Sequence, residues 1–127
     1  MKKIISHCDL EVFQKAFAAA MELFEISKSY PKEERYSLTD QMRKASRSVC
    51  ANLAEAWRKR RYEGAFISKL SDAEGESAES QVWIQFSVKC GYLDRETGAR
   101  IYTIYDDILR TIVGMINHPE TWTLTPK

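Results

Sequence analysis

The segment Ser37–Arg61, SLTDQMRKASRSVCANLAEAWRKRR, contains neither proline nor glycine and places an apolar residue at every third or fourth position. Leu38, Met42, Ala45, Val49, Leu53 and Ala56 form that line. Steps of three and four bring side chains to one face of an α-helix, whereas a strand needs strict alternation. Ser37-Leu-Thr-Asp at its start has the spacing of a capping box, with Asp40 in the place usually held by Glu or Gln. The spacing predicts a helix over 37–61.

The same period continues on either side. Residues 32–118 contain no proline, and Phe66, Leu70, Ala73, Ser77 and Ile84 make a second line. At about 100° per residue the centres of the two lines differ by roughly 110°, so one straight helix cannot bury both on one side. A break is therefore placed near Arg60–Gly64, and a third helix over 63–90 with Gly91 at its C′ position. Upstream, a helix over 9–29 runs from the N-cap type residue Asp9 and is stopped by Pro31. It carries two adjacent apolar stripes: Leu10, Phe13, Phe17, Ala20 and Phe24, and beside them Val12, Ala16, Ala19, Leu23 and Ile26. A fourth helix over 94–117 is likewise doubled, with Ile101, Ile104, Ile108 and Met115 beside Tyr102, Tyr105, Leu109, Ile112 and Ile116. Residues 119–127 read as an irregular tail. Four helices joined by short connections predict an all-α, up-down antiparallel four-helix bundle as a single domain over 1–127.

Composition agrees with one packed domain. The chain has 127 residues, 44% hydrophobic and 29% charged, with fourteen aromatics to fill a core, which excludes intrinsic disorder. MKKIISHC at the start has two lysines but no long apolar stretch behind them, and no run approaches the roughly 18–20 apolar residues of a membrane span. Cys8, Cys50 and Cys90 are odd in number and far apart, which fits no disulfide framework or CxxC metal pair and predicts a cytoplasmic, reducing setting. Apolar stripes wider than a monomeric bundle can cover point to a homo-oligomer; the alternative is that they mark central helices of an imperfect bundle. Trp83, Phe86 and Cys90 form a stripe away from the Phe66–Ile84 line and are the expected oligomer interface.

Enzyme signatures fail. A di-metal bundle site needs Glu-x-x-His pairs, but Ile4 and Met115 stand three residues before the two histidines, His7 and His118. GxxxxGK[ST], GxGxxG and GxSxG are absent. Asp72, Glu76 and Glu79 share one helical face and could hold a cation, or simply form a solvated face. No catalytic residue, metal ligand or cofactor is assigned.

The net charge of +1 is uninformative, but its distribution is not. Residues 41–62 hold seven bases (Arg43, Lys44, Arg47, Arg58, Lys59, Arg60, Arg61) and one acid, Glu55, a net of +6. Residues 63–79 carry a net of −4. Arg43, Arg47, Arg58 and Arg61 fall within about 60° on a helical wheel, and aligned guanidinium groups suit phosphate binding. These seven residues are the candidate nucleic-acid-binding set. The competing account pairs them with the acidic face of helix three. A further line on helix two is polar and borders the core: Gln41, Ser48, Asn52 and Glu55. It reads as cross-helix hydrogen bonding that fixes register, with Asn52 and Glu55 largely buried and Glu55 near Arg58 or Lys59, or as a ligand or subunit contact.

Those residues carry a resemblance. Leu38-Thr-Asp-Gln41-Met-Arg43-Lys-Ala45-Ser-Arg-Ser48-Val-Cys-Ala-Asn52-Leu-Ala-Glu55-Ala-Trp-Arg58 resembles the hallmark of the 23S rRNA intervening-sequence protein family, roughly Gln-Leu-Arg-Arg-Ala-x-x-Ser-Ile-x-x-Asn-Ile-Ala-Glu-Gly and a basic residue. Leu10-Glu-Val-Phe-Gln-Lys-Ala16 is similar to its Leu-x-Val-Trp-x-x-Ala opening, and Tyr30-Pro31 through Tyr36 and Leu38 to its Phe-Pro-x-x-Glu-x-Tyr-x-Leu link. Ala73-Glu-Gly75-Glu-x-Ala-Glu79, Trp83 and Cys90-Gly-Tyr-Leu93 match one branch. Ala56 stands where the motif has Gly, and Glu76 where many members have Ser. The resemblance covers about residues 9–117. It implies a four-helix bundle assembling as a ring, commonly a pentamer, with no established enzymatic activity. A related group resembles accessory proteins of diversity-generating retroelements, which engage a reverse transcriptase and nucleic acid. Three functions stand as expectations: an RNA- or DNA-binding oligomer, a scaffold whose arginine face meets an acidic protein, or a small-molecule or metal-binding bundle using Asp72, Glu76 and Glu79.

Overall fold

The computed structural model describes residues 3–124. Four helices fill it: α1 (Glu11–Ser27), α2 (Leu38–Arg58), α3 (Glu63–Lys89) and α4 (Arg95–Asn117), with 3-10 turns at His7–Asp9, Lys32–Glu34 and Pro119–Thr121 and no strand among the described residues. Each helix packs on its chain neighbours, α1 also packs on α4, and the diagonal pairs stand apart. This is the up-down bundle that short connections dictate.

The punctuation residues explain the boundaries. Asp94 caps α4, its carboxylate accepting the Thr97 N–H at 2.9 Å. Gly91, at φ 80°, ends α3 in a conformation that side chains disfavour. Its N–H donates to the Val88 carbonyl and that of Tyr92 to the Ser87 carbonyl, the paired bonds of a Schellman motif. The break after α2 falls at residues 59–62, so α2 ends at Arg58, three residues before the expected 61.

Two caps differ from expectation. Asp9 does not cap α1, because its carboxylate accepts the Ile5 and Ser6 N–H groups and closes the preceding turn; Leu10 holds the cap position without a side-chain bond. Ser37 forms no capping box, because its hydroxyl donates to Glu34 at 2.7 Å. Glu34 also accepts the Leu38 N–H at 3.3 Å and so covers the start of α2 from the turn before it. Asp40 pairs instead with Lys44. Of the tail, Pro119–Thr121 forms a turn and the Leu124 N–H donates to the Arg60 carbonyl at 3.0 Å. The remainder of the expected tail, 125–127, lies outside the described residues.

The core takes Val12, Ala16, Ala19 and Leu23 from α1, Met42, Val49 and Leu53 from α2, Phe66, Leu70 and Ile84 from α3, and Ile101, Tyr105, Ile108 and Ile112 from α4. Only one α1 stripe is therefore core. Of the other, Leu10 and Ala20 are buried, but Phe13 and Phe24 are half-buried and Phe17 is 52% exposed. On α3 the buried line continues through polar residues: Ser77, Ser80 and Ser87 each donate to a carbonyl one turn back, and Gln81 donates to the Tyr102 carbonyl and the Asp106 carboxylate of α4. These small hydroxyls satisfy themselves locally and leave room for neighbouring helices to approach.

Candidate nucleic-acid interface

The seven bases of the α2 region separate into two kinds. Arg43 is half-buried and turned across the α1–α2 seam: its Nε donates to Ser27 Oγ at 2.8 Å, and its guanidinium lies 4.7 Å from the centre of the Phe24 ring. Lys44 pairs with Asp40 at 3.1 Å. Arg60 folds back at the end of α2, donating to the Trp57 carbonyl at 2.8 Å with its guanidinium 3.4 Å over the Trp57 ring. Burial there, and then the Arg58 charge, pull its pKa below the usual guanidinium range. Arg43 and Arg60 are held by the fold, while Lys44 is neutralised by an exposed pair one turn away.

Arg47, Arg58, Lys59 and Arg61 are exposed, and none has an ion-pair partner among the described residues. Arg47 rests 5.5 Å from the Phe24 ring, on the opposite edge of α2 from α3. Arg58 closes the helix about 16 Å further along the axis at about 1.5 Å per residue. Because α2 ends at Arg58, Arg61 belongs to the following turn and not to the helical face on which its spacing placed it. The free charges thus form one point on α2 and a cluster at the end of the bundle. Two and three turns before Phe24 on the same helix, Phe13 stacks on Phe17 at 5.9 Å.

Pairing of the arginines with α3 acids is absent among the described residues. The ion pair that spans α2 and α3 has the opposite polarity, Glu55 with Lys69 at 3.5 Å. Asp72 pairs with Lys69 of its own helix at 3.8 Å, and partial burial, then Glu79 and Asp72, push the Glu76 carboxyl above its ordinary pKa. No three His, Cys, Asp or Glu side chains converge as a metal site among the described residues.

The polar line of α2 is more exposed than expected. Asn52 is half-buried and donates within its own helix, to the Ser48 carbonyl at 2.9 Å and hydroxyl at 3.1 Å. Glu55 is exposed and pairs with Lys69 of α3 at 3.5 Å, not with Arg58 or Lys59 as expected. Gln41 is exposed and lines a shallow groove with Leu38, Trp83, Phe86 and Cys90. Within that groove Trp83 is half-buried, Phe86 is 52% exposed, and their rings lie 5.8 Å apart.

One joint was not legible from spacing. Glu34, before α2, accepts from Ser37, from the Leu38 N–H and from the Tyr92 hydroxyl at 3.0 Å, tying the α1–α2 and α3–α4 connections together. Those donors, Ser37 first, lower the Glu34 pKa, and Glu34 in turn pushes Tyr92 up to about 12. The Tyr30–Pro31–Tyr36 link motif contained the signal, but nothing in it names a partner 58 positions away.

A search of curated proteins finds no match. The fold is similar to a crystal structure from Bacteroides thetaiotaomicron VPI-5482, described as a protein with unknown function from the S23 ribosomal protein family. It aligns with a TM-score of 0.75 at 23% identity over 84% of this chain and 95% of that one. At that identity the likeness bears on fold alone, and the four-helix architecture is what the two share. Sequence decides the rest: the 23S rRNA-intervening sequence protein family matches residues 8–114, a span holding all four helices but the last turn of α4. The chain belongs to the 23S rRNA-intervening sequence protein family.

Proposed function

We propose that this protein is a non-catalytic, cytoplasmic, self-assembling bundle that binds the phosphate backbone of RNA or DNA. The observation that carries this reading is the set Arg47, Arg58, Lys59 and Arg61, four exposed cations without a carboxylate partner among the described residues. Unneutralised guanidinium groups release counterions from a phosphate chain on contact, which makes binding salt-dependent and weakly sequence-dependent. Self-assembly is supported by the groove around Trp83 and Phe86, where Trp83 is half-buried and Phe86 is 52% exposed. A ring, such as a pentamer, repeats the basic cluster once per subunit and adds modest contacts through multivalency. The free thiols of Cys8, Cys50 and Cys90 suit a reducing compartment.

Mobility shifts on structured RNA and duplex DNA at 50 and 200 mM salt test the reading, beside melts of an Arg47→Glu/Arg58→Glu variant. Binding that weakens steeply with salt and disappears in a stably folded variant is expected. No shift at either salt, with a destabilised variant, would mean that the arginines serve the fold.

A further inference from the structure

We propose that Tyr62 is a stacking platform for one base of a single-stranded nucleic acid, with Arg58, Lys59 and Arg61 holding the flanking phosphates. This rests on the nucleic-acid reading above and names the form of nucleic acid that the end of the bundle takes. Tyr62 is 67% exposed, and its ring has no aromatic, cationic or hydrogen-bonding partner among the described residues. Its backbone is nevertheless fixed. The N–H donates to the Lys59 carbonyl at 3.1 Å, the carbonyl accepts the Phe66 N–H at 2.9 Å, and φ −122°, ψ 112° sets it extended before α3.

The turn beneath it is anchored as well. Arg60 is folded onto Trp57, and the Arg60 carbonyl accepts the Leu124 N–H. Of four successive bases, one is drawn inward and three remain in solvent within four positions of Tyr62, with a net charge of +3 over residues 58–63 even counting Glu63. Tyr36 provides the internal contrast. It is 84% exposed, but Arg35 lies 5.8 Å from its ring, and residues 32–35 sum to zero charge. A duplex keeps its base faces stacked inside, whereas a single strand offers them; aromatic side chains beside backbone-tracking cations are how sequence-tolerant single-strand sites are built.

The test uses the full chain and labelled 12-mers of uridine or thymidine, with a 12-base-pair duplex as control, by fluorescence anisotropy at fixed salt. Tighter binding to either single strand than to the duplex is expected. Tyr62→Ala should weaken single-strand binding roughly tenfold, since stacking one base is worth that much, while duplex affinity and melting temperature stay unchanged. Tyr62→Phe should bind like the parent. Equal weakening on single strands and duplex, no weakening, or a Phe variant as poor as the Ala variant would overturn the platform while leaving phosphate binding standing. A parent protein that binds none of the probes would overturn both readings.

Discussion

Arg43→Ala separates the arginines that hold the bundle from those proposed to face a ligand. The guanidinium makes one good charged hydrogen bond, Nε to Ser27 Oγ at 2.8 Å, and a ring contact with Phe24 at 4.7 Å. Its second approach, to the Phe24 carbonyl at 3.5 Å, is too long to add much. A hydrogen bond to a charged group contributes about 1.5–3 kcal/mol and an exposed cation–π contact about 0.5–1 kcal/mol. For a half-buried side chain the lower ends apply, giving about 2 kcal/mol in all. A chain of this size shifts by about 3–5 °C per kcal/mol, so Arg43→Ala should melt roughly 6–10 °C below the parent. Arg43→Lys should recover little, because an ammonium cannot place a donor where the planar Nε sits. Arg47→Ala, which loses only a 5.5 Å ring contact, should melt within about 2 °C of the parent yet bind nucleic acid more weakly. Thermal denaturation by circular dichroism, paired with a binding curve for each variant, reads both effects. An Arg43→Ala protein with an unchanged melting temperature and lost binding would refute the division.

Other outcomes follow from the same geometry. Glu34 has a lowered pKa in the fold, so its contribution is present above the ordinary 4.5 and is lost as pH falls through the folded value; Tyr92→Phe should reduce this acid-side loss of melting temperature. Tyr92, raised to about 12 from 10, contributes fully below pH 10 and loses its contribution as pH rises towards 12, which the same variant should abolish in an alkaline melt series. A methyl at Gly98 would lie 2.4 Å from Val88 Cγ2, so Gly98→Ala should destabilise by about 1–3 kcal/mol in urea unfolding, with Val88→Ala restoring part of it. Cys50 is buried, its thiol pushed up to about 11, while Cys8 and Cys90 are exposed; a thiol reagent should modify Cys8 at once and Cys50 only on unfolding. Assembly through the Trp83–Phe86 groove predicts that Cys90 is protected in the oligomer and that Trp83→Glu yields a monomer by light scattering, with Cys90 then as reactive as Cys8.

Boundaries were legible because they are written in single residues: Pro31 after α1, Asp94 before α4, Gly91 after α3 and a phase change of the apolar line before α3. Faces were harder. On α1 both stripes are apolar, so the period identifies a helix without saying which stripe meets the core; the one rich in alanine does, because small side chains let α2 and α4 close in. Ser80 and Ser87 continue the three-and-four spacing of α3 but look like surface residues until their hydroxyls find carbonyls in the same helix. For the basic set, clustering along the chain was visible and division of labour was not. Arg43 and Arg47 both lie near the Phe24 ring, but only Arg43 is half-buried and bonded to Ser27.

The connectivity of the bundle also sets an order of events. Three of its four seams join helices that follow one another in the chain, and each can form after closing a short connection. The α1–α4 seam is different: Lys15 meets Asp107 and Glu22 meets Arg100 across almost the whole sequence, and the pairs on it are exposed or only partly covered. Such closure carries the largest loop entropy, and exposed ion pairs return little to offset it. Docking of α1 onto α4 is therefore expected to come last in folding and its parting first in opening. Amides along these two helices should exchange with deuterium ahead of those in the α2–α3 hairpin.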